Sequence, residues 1–383
     1  MERFPIVDKG KSLRVAVVQA RPVCFDLAAT LEKTISLARQ AAQSGAKLVC
    51  FGEAWLPGYP AWLDYCPEAA LWDHAPVKEV FAALRDNSVT IDGDEVAALQ
   101  QLAADLQIAL VIGVNERVDF GPGNGTLYNS LLTIGDGGEL LNHHRKLVPT
   151  YTERMVWGPG DARGLQAVEV IGGVRAGGLI CWEHWMPLSR QVLHDSGEHI
   201  HVAAWPTVHE MVQIASRHYA FEGRCFVLAV GLIMRAEDLP RQLSRTDAVK
   251  DDNAFVERGG SAIIGPDGEY LAGPVCDCET ILTADLDLGA IDREKMTLDV
   301  TGHYARPDVF DLQVRRPDSG TDLPRTRAIT HCSALSVSGY WSHEDLFRFY
   351  CRRQSVRHRN SAARRSTPRR GRPRSAHPTP SGR

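Results

Sequence analysis

Three reactive side chains stand at the ends of short apolar runs in this 383-residue sequence: the carboxylate of Glu53, the ammonium of Lys146 and the thiol of Cys181. An acid, a cation and a sulfur atom held together can generate a thiolate and stabilise the charge that its attack creates. Each residue alone has an ordinary structural explanation, namely an exposed loop acid, a solvated basic patch or a small buried side chain. The chemistry therefore requires a fold that brings the three together.

Glu53 follows the apolar run 47–51, where a strand would turn into a loop that contains Trp55 and Tyr59. The carboxyl edge of a strand is where ligands usually bind in open α/β sheets. Apolar, aromatic surroundings raise the pKa of a carboxyl group towards the value that a general base needs. We therefore expect Glu53 to act as a base at the edge of a sheet.

Lys146 follows another predicted strand and precedes Leu147 and Val148, with Glu153 further along the chain. This pattern suits a lysine that is drawn into a site and paired with a carboxylate. A lysine in that position can hold a developing negative charge or transfer a proton. We therefore expect Lys146 to lie in the same site as the acid that activates the thiol.

Cys181 lies between the glycine-rich segment 177–180 and Pro187, a residue type favoured at the first position of a helix. A thiol at a strand-to-helix junction faces backbone N–H groups, which favour the thiolate. We expect the same N–H groups, that of Trp182 among them, to form an oxyanion hole.

The elements that would position these residues alternate between short apolar runs and longer amphipathic stretches. The predicted strands are 14–19, 47–51, 109–114, 128–134, 139–144, 168–171, 175–181, 199–204, 225–232, 260–264 and 269–273. Helices are predicted between Asp26 and Gly45 and over 94–107, 187–196 and 212–223. Repeated βα units mixed with hairpins predict a layered α/β fold, in which helices cover a sheet.

The order Glu, Lys, Cys on three predicted strand ends resembles the nitrilase superfamily of carbon–nitrogen hydrolases and its Glu–Lys–Cys triad. Local segments narrow the resemblance to the nitrilase branch: Cys-Trp-Glu-His-Trp-Met-Pro at 181–187, Arg-Lys-Leu-Val-Pro-Thr at 145–150 and His-Tyr-Ala-Arg-Pro-Asp at 303–308. The resemblance extends from about Leu13 to Arg315. It implies a four-layer αββα sandwich and a hydrolase domain over residues 1–316.

The resemblance also assigns roles in nitrile hydrolysis. Cys181 matches the nucleophile, Glu53 the general base and Lys146 the third member, while Glu153 matches a second glutamate that positions Lys146 or the substrate. The implied reaction passes through a thioimidate and an acyl thioester, releases ammonia and a carboxylic acid, and uses no metal or organic cofactor. An amidase or a cyanide-hydrolysing relative would use the same residues and remains the alternative.

Three aromatic residues near these positions are candidates to line a substrate pocket: Tyr59, Trp182 and Trp205. Six histidines lack metal-ligand spacing, and we expect them to have structural roles: His143, His144, His184, His194, His199 and His201.

Charge is distributed unevenly along the chain. The segment 346–383 contains 12 arginines and no lysine, aspartate or glutamate, which leaves 31 of the 43 basic residues against all 47 acidic residues in the remainder. An acidic body gives no support to a nucleic-acid-binding fold. We expect 317–383 to be a low-complexity, disordered extension. The remaining alternative of a different class is a non-catalytic protein whose arginine-rich tail binds anionic partners.

Compartment and assembly follow from further features. The sequence contains nine scattered cysteines, and its start does not look like a signal peptide, so we expect a cytoplasmic protein. It lacks an apolar run of ~18–20 residues, so we expect no membrane-spanning helix. The family resemblance implies a homodimer, formed across a helical face, that builds larger homo-oligomers or spirals.

Overall fold

A computed structural model describes residues 12–316 of the chain. This range contains the predicted hydrolase domain except for its first eleven residues. The predicted extension 317–383 lies outside the described residues. Within the described range, no helix is both long enough and apolar enough to cross a lipid bilayer.

The described residues form thirteen strands and seven α-helices. The strands are β1 (Ser12–Gln19), β2 (Leu48–Phe51), β3 (Ala109–Arg117), β4 (Leu127–Ile134), β5 (Leu140–Arg145), β6 (Val168–Ile171), β7 (Val174–Ile180), β8 (Ile200–Ala204), β9 (Phe226–Val230), β10 (Ile233–Arg235), β11 (Phe255–Ile264), β12 (Tyr270–Cys276) and β13 (Thr280–Asp287). The helices are α1 (Leu27–Gln43), α2 (Trp62–Tyr65), α3 (Ala75–Asp86), α4 (Asp94–Leu106), α5 (Pro187–Asp195), α6 (Glu210–Gly223) and α7 (Gly289–Lys295). Every strand and helix predicted from the sequence is present, with bounds shifted by a few residues.

The strands form two sheets. The first has the order β13-β1-β2-β3-β4-β5, and the second has the order β10-β11-β9-β8-β7-β6, with β12 paired to β11. Strands β1, β2 and β3 are parallel, as are β7, β8 and β9, whereas the pairs β1–β13 and β4–β5 are antiparallel. The carboxyl ends of β2 and β7 therefore belong to different sheets.

Strand β1 shows how the two sheets pack. Val15 and Val17 join a core that also contains Val202 and Leu228 of the second sheet. The alternating residues Ala16 and Val18 join the core beneath the helices on the other face. Both faces of β1 are therefore covered, and this is why its sequence is apolar throughout.

Helices cover the outer face of each sheet. Buried residues of α1, α3 and α4 belong to the core outside the first sheet, and those of α5 and α6 pack against the second. The arrangement is helices, sheet, sheet, helices, which confirms the four-layer αββα sandwich.

Local signals in the sequence account for several element boundaries. Asp26 caps α1, because its Oδ1 accepts a hydrogen bond of 2.9 Å from the N–H of Ala29. Pro187 is the first residue of α5. Gly135 and Glu139 close the hairpin between β4 and β5 with a backbone hydrogen bond of 2.9 Å.

Candidate active site

Glu53 lies just beyond β2, and its side chain is fully buried. Its Oε1 accepts hydrogen bonds from Asn129 Nδ2 at 2.7 Å and from Lys146 Nζ at 2.8 Å. Its Oε2 has no hydrogen-bond partner among the described residues. Burial raises the pKa of Glu53 to about 7, although the positive charge of Lys146 opposes the shift. The group is therefore suited to accept a proton near neutral pH.

The loop that carries Glu53 lies directly against β3. A Cβ atom at Gly113 would come within 2.6 Å of the nitrogen of Ala54 and 2.9 Å of the Cα of Glu53. The backbone also bonds across this contact, since the N–H of Leu56 donates to the carbonyl of Gly113 at 3.2 Å. The glycine is required here because two backbone segments approach closely.

Lys146 follows β5 directly and is almost completely buried. Its Nζ donates to Glu53 Oε1 and to both oxygens of Glu153, at 2.9 Å and 2.7 Å. Burial disfavours the charged amine, but the thiolate form of Cys181 and the carboxylates of Glu53 and Glu153 outweigh it and raise the pKa of Lys146. The lysine is therefore an ammonium bonded to two carboxylates.

Glu153 is held on a 3-10 helix formed by Tyr151–Met155. Its Oε2 accepts a hydrogen bond of 2.6 Å from the N–H of Thr150, and its Oε1 accepts one of 2.9 Å from the hydroxyl of Tyr59. These bonds and that of Lys146 fix the orientation of the carboxylate.

Cys181 follows β7 directly and opens a 3-10 helix, Cys181–Trp185. Its φ of +54° places a non-glycine residue in the left-handed region. Sγ of Cys181 and carboxylate oxygens of Glu53 and Glu153 all lie within 4.8 Å of one another. The structure thus brings together four of the residues that the sequence predicts, Glu53, Lys146, Glu153 and Cys181, and these are called the reactive cluster below.

The pKa of the Cys181 thiol is set by opposing effects. Burial and the nearby Glu53 carboxylate raise it well above its ordinary value, and they outweigh the N–H of Trp182, which lowers it. Cys181 is therefore a thiol before reaction, and it needs a base to remove its proton.

A carboxylate that sequence reasoning missed joins two parts of the cluster. Glu183 accepts a hydrogen bond of 2.7 Å from the N–H of Ile180 and one of 2.8 Å from the N–H of Leu147. These donors adjoin Cys181 and Lys146 in the chain. Glu183 thereby ties the end of β7 in the second sheet to the end of β5 in the first.

The three aromatic candidates have different environments. Tyr59 is buried with its hydroxyl on Glu153, and its ring packs edge-on to Trp157 at 5.8 Å between centroids. The side chain of Trp182 is 57% exposed, while Trp205 is 1% exposed and stacks on His184 at 4.5 Å. Of the three side chains, the structure places that of Tyr59 against the reactive cluster.

A metal ion would find three candidate ligands here, two carboxylates and a sulfur, because Glu53, Glu153 and Cys181 converge. The ammonium of Lys146 already bonds to both carboxylates at 2.7–2.9 Å. The chain itself therefore supplies one positive charge to the two carboxylates, at the place where a metal ion would supply its own.

Comparison with known proteins gives the context for this geometry. A family model described as carbon-nitrogen hydrolase matches residues 14–295. The chain is 40% identical over 302 residues to an aliphatic nitrilase of Sinorhizobium fredii, covering 79% of this chain and 95% of that protein. It is 36% identical over 319 residues to an arylacetonitrilase of Aspergillus kawachii, covering 80% and 92%.

A solved structure supports the fold. The carbon-nitrogen hydrolase from Helicobacter pylori superposes with a TM-score of 0.60 at 20% identity, covering 78% of this chain and 96% of that one. At this level of identity, the match concerns the fold alone.

Proposed function

The chain belongs to the carbon-nitrogen hydrolase family, and on that basis we propose that it is a nitrilase, an enzyme that hydrolyses an organic nitrile to the carboxylic acid and ammonia. The observation that carries the proposal is the reactive cluster, in which a thiol, two carboxylates and an ammonium converge in one buried site. The nitrilases among its relatives, at 36–41% identity over most of the chain, support the choice of a nitrile as substrate.

The first step forms a covalent bond to carbon. Glu53 takes the proton of the Cys181 thiol through Oε2, the oxygen that has no other partner among the described residues. The sulfur then attacks the nitrile carbon, and one π pair of the triple bond moves to nitrogen. Lys146 donates a proton to this nitrogen and recovers one from Glu53, to which it is directly bonded. The product of this step is a thioimidate, and the two carboxylates and the lysine regain their starting charges.

Two water molecules complete the reaction. Glu53 takes a proton from the first water as the water oxygen adds to the thioimidate carbon, and this proton reaches the nitrogen through Lys146. The tetrahedral intermediate then collapses: its hydroxyl proton passes through Glu53 to the nitrogen, the C–N bond breaks, ammonia leaves and the C=O bond of an acyl thioester forms. A second water attacks the resulting thioester in the same way and releases the carboxylic acid and the free thiol. One nitrile and two waters are thus consumed for each acid and ammonia formed. Glu153 stays hydrogen-bonded to the amino group of Lys146 throughout.

A substrate panel tests this function. We expect the full-length protein to release ammonia from at least one aliphatic nitrile, aryl nitrile or arylacetonitrile, with the matching acid as product. The Cys181→Ala protein serves as the blank. Ammonia from the matching amides alone would reject the nitrilase assignment and favour an amidase, and turnover of cyanide alone would favour a cyanide hydrolase.

Assembly and compartment extend the proposal. We propose a homodimer that builds larger homo-oligomers or spirals, because α5 and α6, which an ion pair between Arg190 and Glu222 joins, both expose large apolar side chains: Leu188, Met211, Ile214 and Phe221 are 47–67% exposed. We also propose a cytoplasmic location, since all seven cysteines of the described residues are free thiols, which suits a reducing compartment.

A charged substitution tests the dimer. Met211→Asp should lower the mass measured by sedimentation, because a carboxylate in an apolar interface is left without a partner. Leu271→Asp is the matched control, since Leu271 is 49% exposed on β12 and lies outside α5 and α6. If both variants keep the mass of the parent, or if the parent is a monomer, this face is not the interface.

A further inference from the structure

The peptide unit that joins Cys181 to Trp182 is held through its carbonyl. The carbonyl oxygen accepts a hydrogen bond of 2.7 Å from His184 Nδ1, and the N–H of the same unit lies close enough to the sulfur of Cys181 to lower the pKa of the thiol. Because a peptide unit is planar, fixing the carbonyl also fixes the direction of the N–H. A bond accepted by the carbonyl polarises the unit and strengthens the N–H as a donor.

The backbone of Cys181 needs such support. A non-glycine residue at φ +54° persists only where its surroundings hold it there. Glu183 holds the chain before Cys181 through the N–H of Ile180, and His184 holds it after Cys181 through the carbonyl. Without the second bond, the peptide can rotate and turn its N–H away from the sulfur.

His184 is itself fixed by buried partners. Its ring stacks on Trp205, and its Nε2 lies 3.0 Å from Nε2 of His201. His201 Nδ1 in turn lies 3.0 Å from Glu198 Oε2. Since a carbonyl and a carboxylate oxygen only accept, the geometry assigns a proton to Nδ1 of both rings. Burial lowers the pKa of His184 and that of His201, so both rings are neutral at neutral pH. The rings then hold each other by edge-on packing, with centroids 5.1 Å apart, rather than by a hydrogen bond between the two Nε2 atoms.

Glu198 is the buried anion at the end of this chain of contacts. Burial raises its pKa, but His201 and His194 outweigh this and lower the pKa to about 2, so Glu198 is ionised at neutral pH. It also accepts hydrogen bonds from Tyr219 at 2.5 Å and from His194 at 3.0 Å. The residues come from α5, β8, α6 and the turn between α5 and β8, which together form a rigid support behind Cys181.

We propose that His184 is a positioning residue that aims the Trp182 N–H at the reacting sulfur and nitrogen, and that His201 and Glu198 hold the His184 ring in place. This proposal rests on the proposed function, because it takes a nitrile as the group that the sulfur attacks. The effect of His184 on the Cys181 thiol, however, does not depend on the substrate. Losing the Nδ1 donor should reduce thiolate formation and turnover and leave substrate binding largely unchanged.

Two substitutions at His184 separate this role from simple packing. In His184→Asn, Nδ2 stands the same number of bonds from Cα as the histidine Nδ1 and can still donate to the Cys181 carbonyl. In His184→Gln, the amide reaches towards His201 instead and the donor to Cys181 is lost. Both variants lose the ring that stacks on Trp205, so any general loss of packing is shared.

Two readouts measure the effect on the full-length protein. One is kcat and KM for the best nitrile of the panel. The other is the rate of alkylation of Cys181 by iodoacetamide between pH 6 and 9, followed by mass spectrometry of the tryptic peptide 176–190, in which Cys181 is the only cysteine. We expect kcat of His184→Gln to fall about 10- to 100-fold below that of His184→Asn, with KM within about threefold. The alkylation rate at neutral pH should fall in the same order.

Equal kcat and equal alkylation rates in the Asn and Gln variants would overturn the proposal. If both variants fail to fold, Glu198→Gln supplies the second test, because it keeps the shape of the side chain and removes the charge that holds His201. It should slow alkylation of Cys181 by about threefold or more, and an unchanged rate would overturn the proposal. If the parent hydrolyses no nitrile, the proposed function fails and the alkylation rates still decide the role of His184.

Discussion

The hydroxyl of Tyr59 donates a hydrogen bond of 2.9 Å to Oε1 of Glu153, the carboxylate that also holds the Lys146 ammonium. An aromatic residue expected from the sequence to line a substrate pocket thus contacts the reactive cluster through its polar end. Its hydroxyl limits the positions that the Glu153 carboxylate can take, and through Glu153 those of Lys146.

Tyr59→Phe should therefore lower kcat/KM about tenfold, because a hydrogen bond to a charged group contributes about 1.5 kcal/mol or more. The fall should appear mainly in kcat, since the hydroxyl acts on Glu153. Steady-state kinetics on the best nitrile measures both constants. Tyr65→Phe is the control, because the hydroxyl of Tyr65 lies 3.4 Å from the Val256 carbonyl and makes no bond to the cluster. A change confined to KM would instead assign Tyr59 to substrate binding.

Cys181→Ala should abolish turnover, by about 10³-fold or more, because no other group in the cluster can form the covalent intermediate. The melting temperature should hardly change, since replacing a thiol with a methyl group removes little packing. Cys181→Ser should also fail, because a hydroxyl group is far harder to deprotonate. Cys225→Ala, at another fully buried cysteine, is the control and should keep full activity. Residual turnover near that of the parent in Cys181→Ala would refute the mechanism.

The dependence of kcat/KM on pH should follow the ionisation of Glu53. Its pKa is raised to about 7, chiefly by burial, and a base must be deprotonated to act. We therefore expect kcat/KM to rise from pH 5 to about pH 7 and to level off above it. Glu53→Gln should remove this limb together with about 10²-fold or more of the activity. A profile that is flat between pH 5 and 7 in the parent would show that another group takes the thiol proton.

Much of the site is predictable because its residues follow strands. Glu53, Lys146 and Cys181 come within two residues of the ends of β2, β5 and β7, and apolar runs of this kind are visible in the sequence. Glu183 could not be found in this way. Its bond to the N–H of Leu147 depends on how the two sheets pack, which a single sequence does not specify.

The sequence alone did not predict strand β13, for a similar reason. Strand β13 completes the first sheet by pairing Thr280 with Gln19 at the far end of the domain, and long-range pairing leaves no local signal. Asn129 offered a usable signal that was overlooked: it stands two residues before Leu131 on β4, so both point towards the second sheet and the site. The histidines were predicted to have structural roles. His194 and His201 both bond to Glu198, and His201 lies against His184, to which the proposal above gives a positioning role as well.

In the reactive cluster, the positive charge of Lys146 offsets the negative charges of the Glu53 and Glu153 carboxylates. Lys146→Met leaves Glu53 and Glu153 buried without their shared cation, and breaking a buried ion pair in this way costs about 3–5 kcal/mol of folding stability. Adding Glu153→Gln removes one of the two stranded charges, so the double variant should recover part of the stability. Neither protein should turn over nitrile, because the proton donor is gone. Urea unfolding and ammonia release measure the two effects. A double variant no more stable than Lys146→Met would show that repulsion between the carboxylates is not what the lysine relieves.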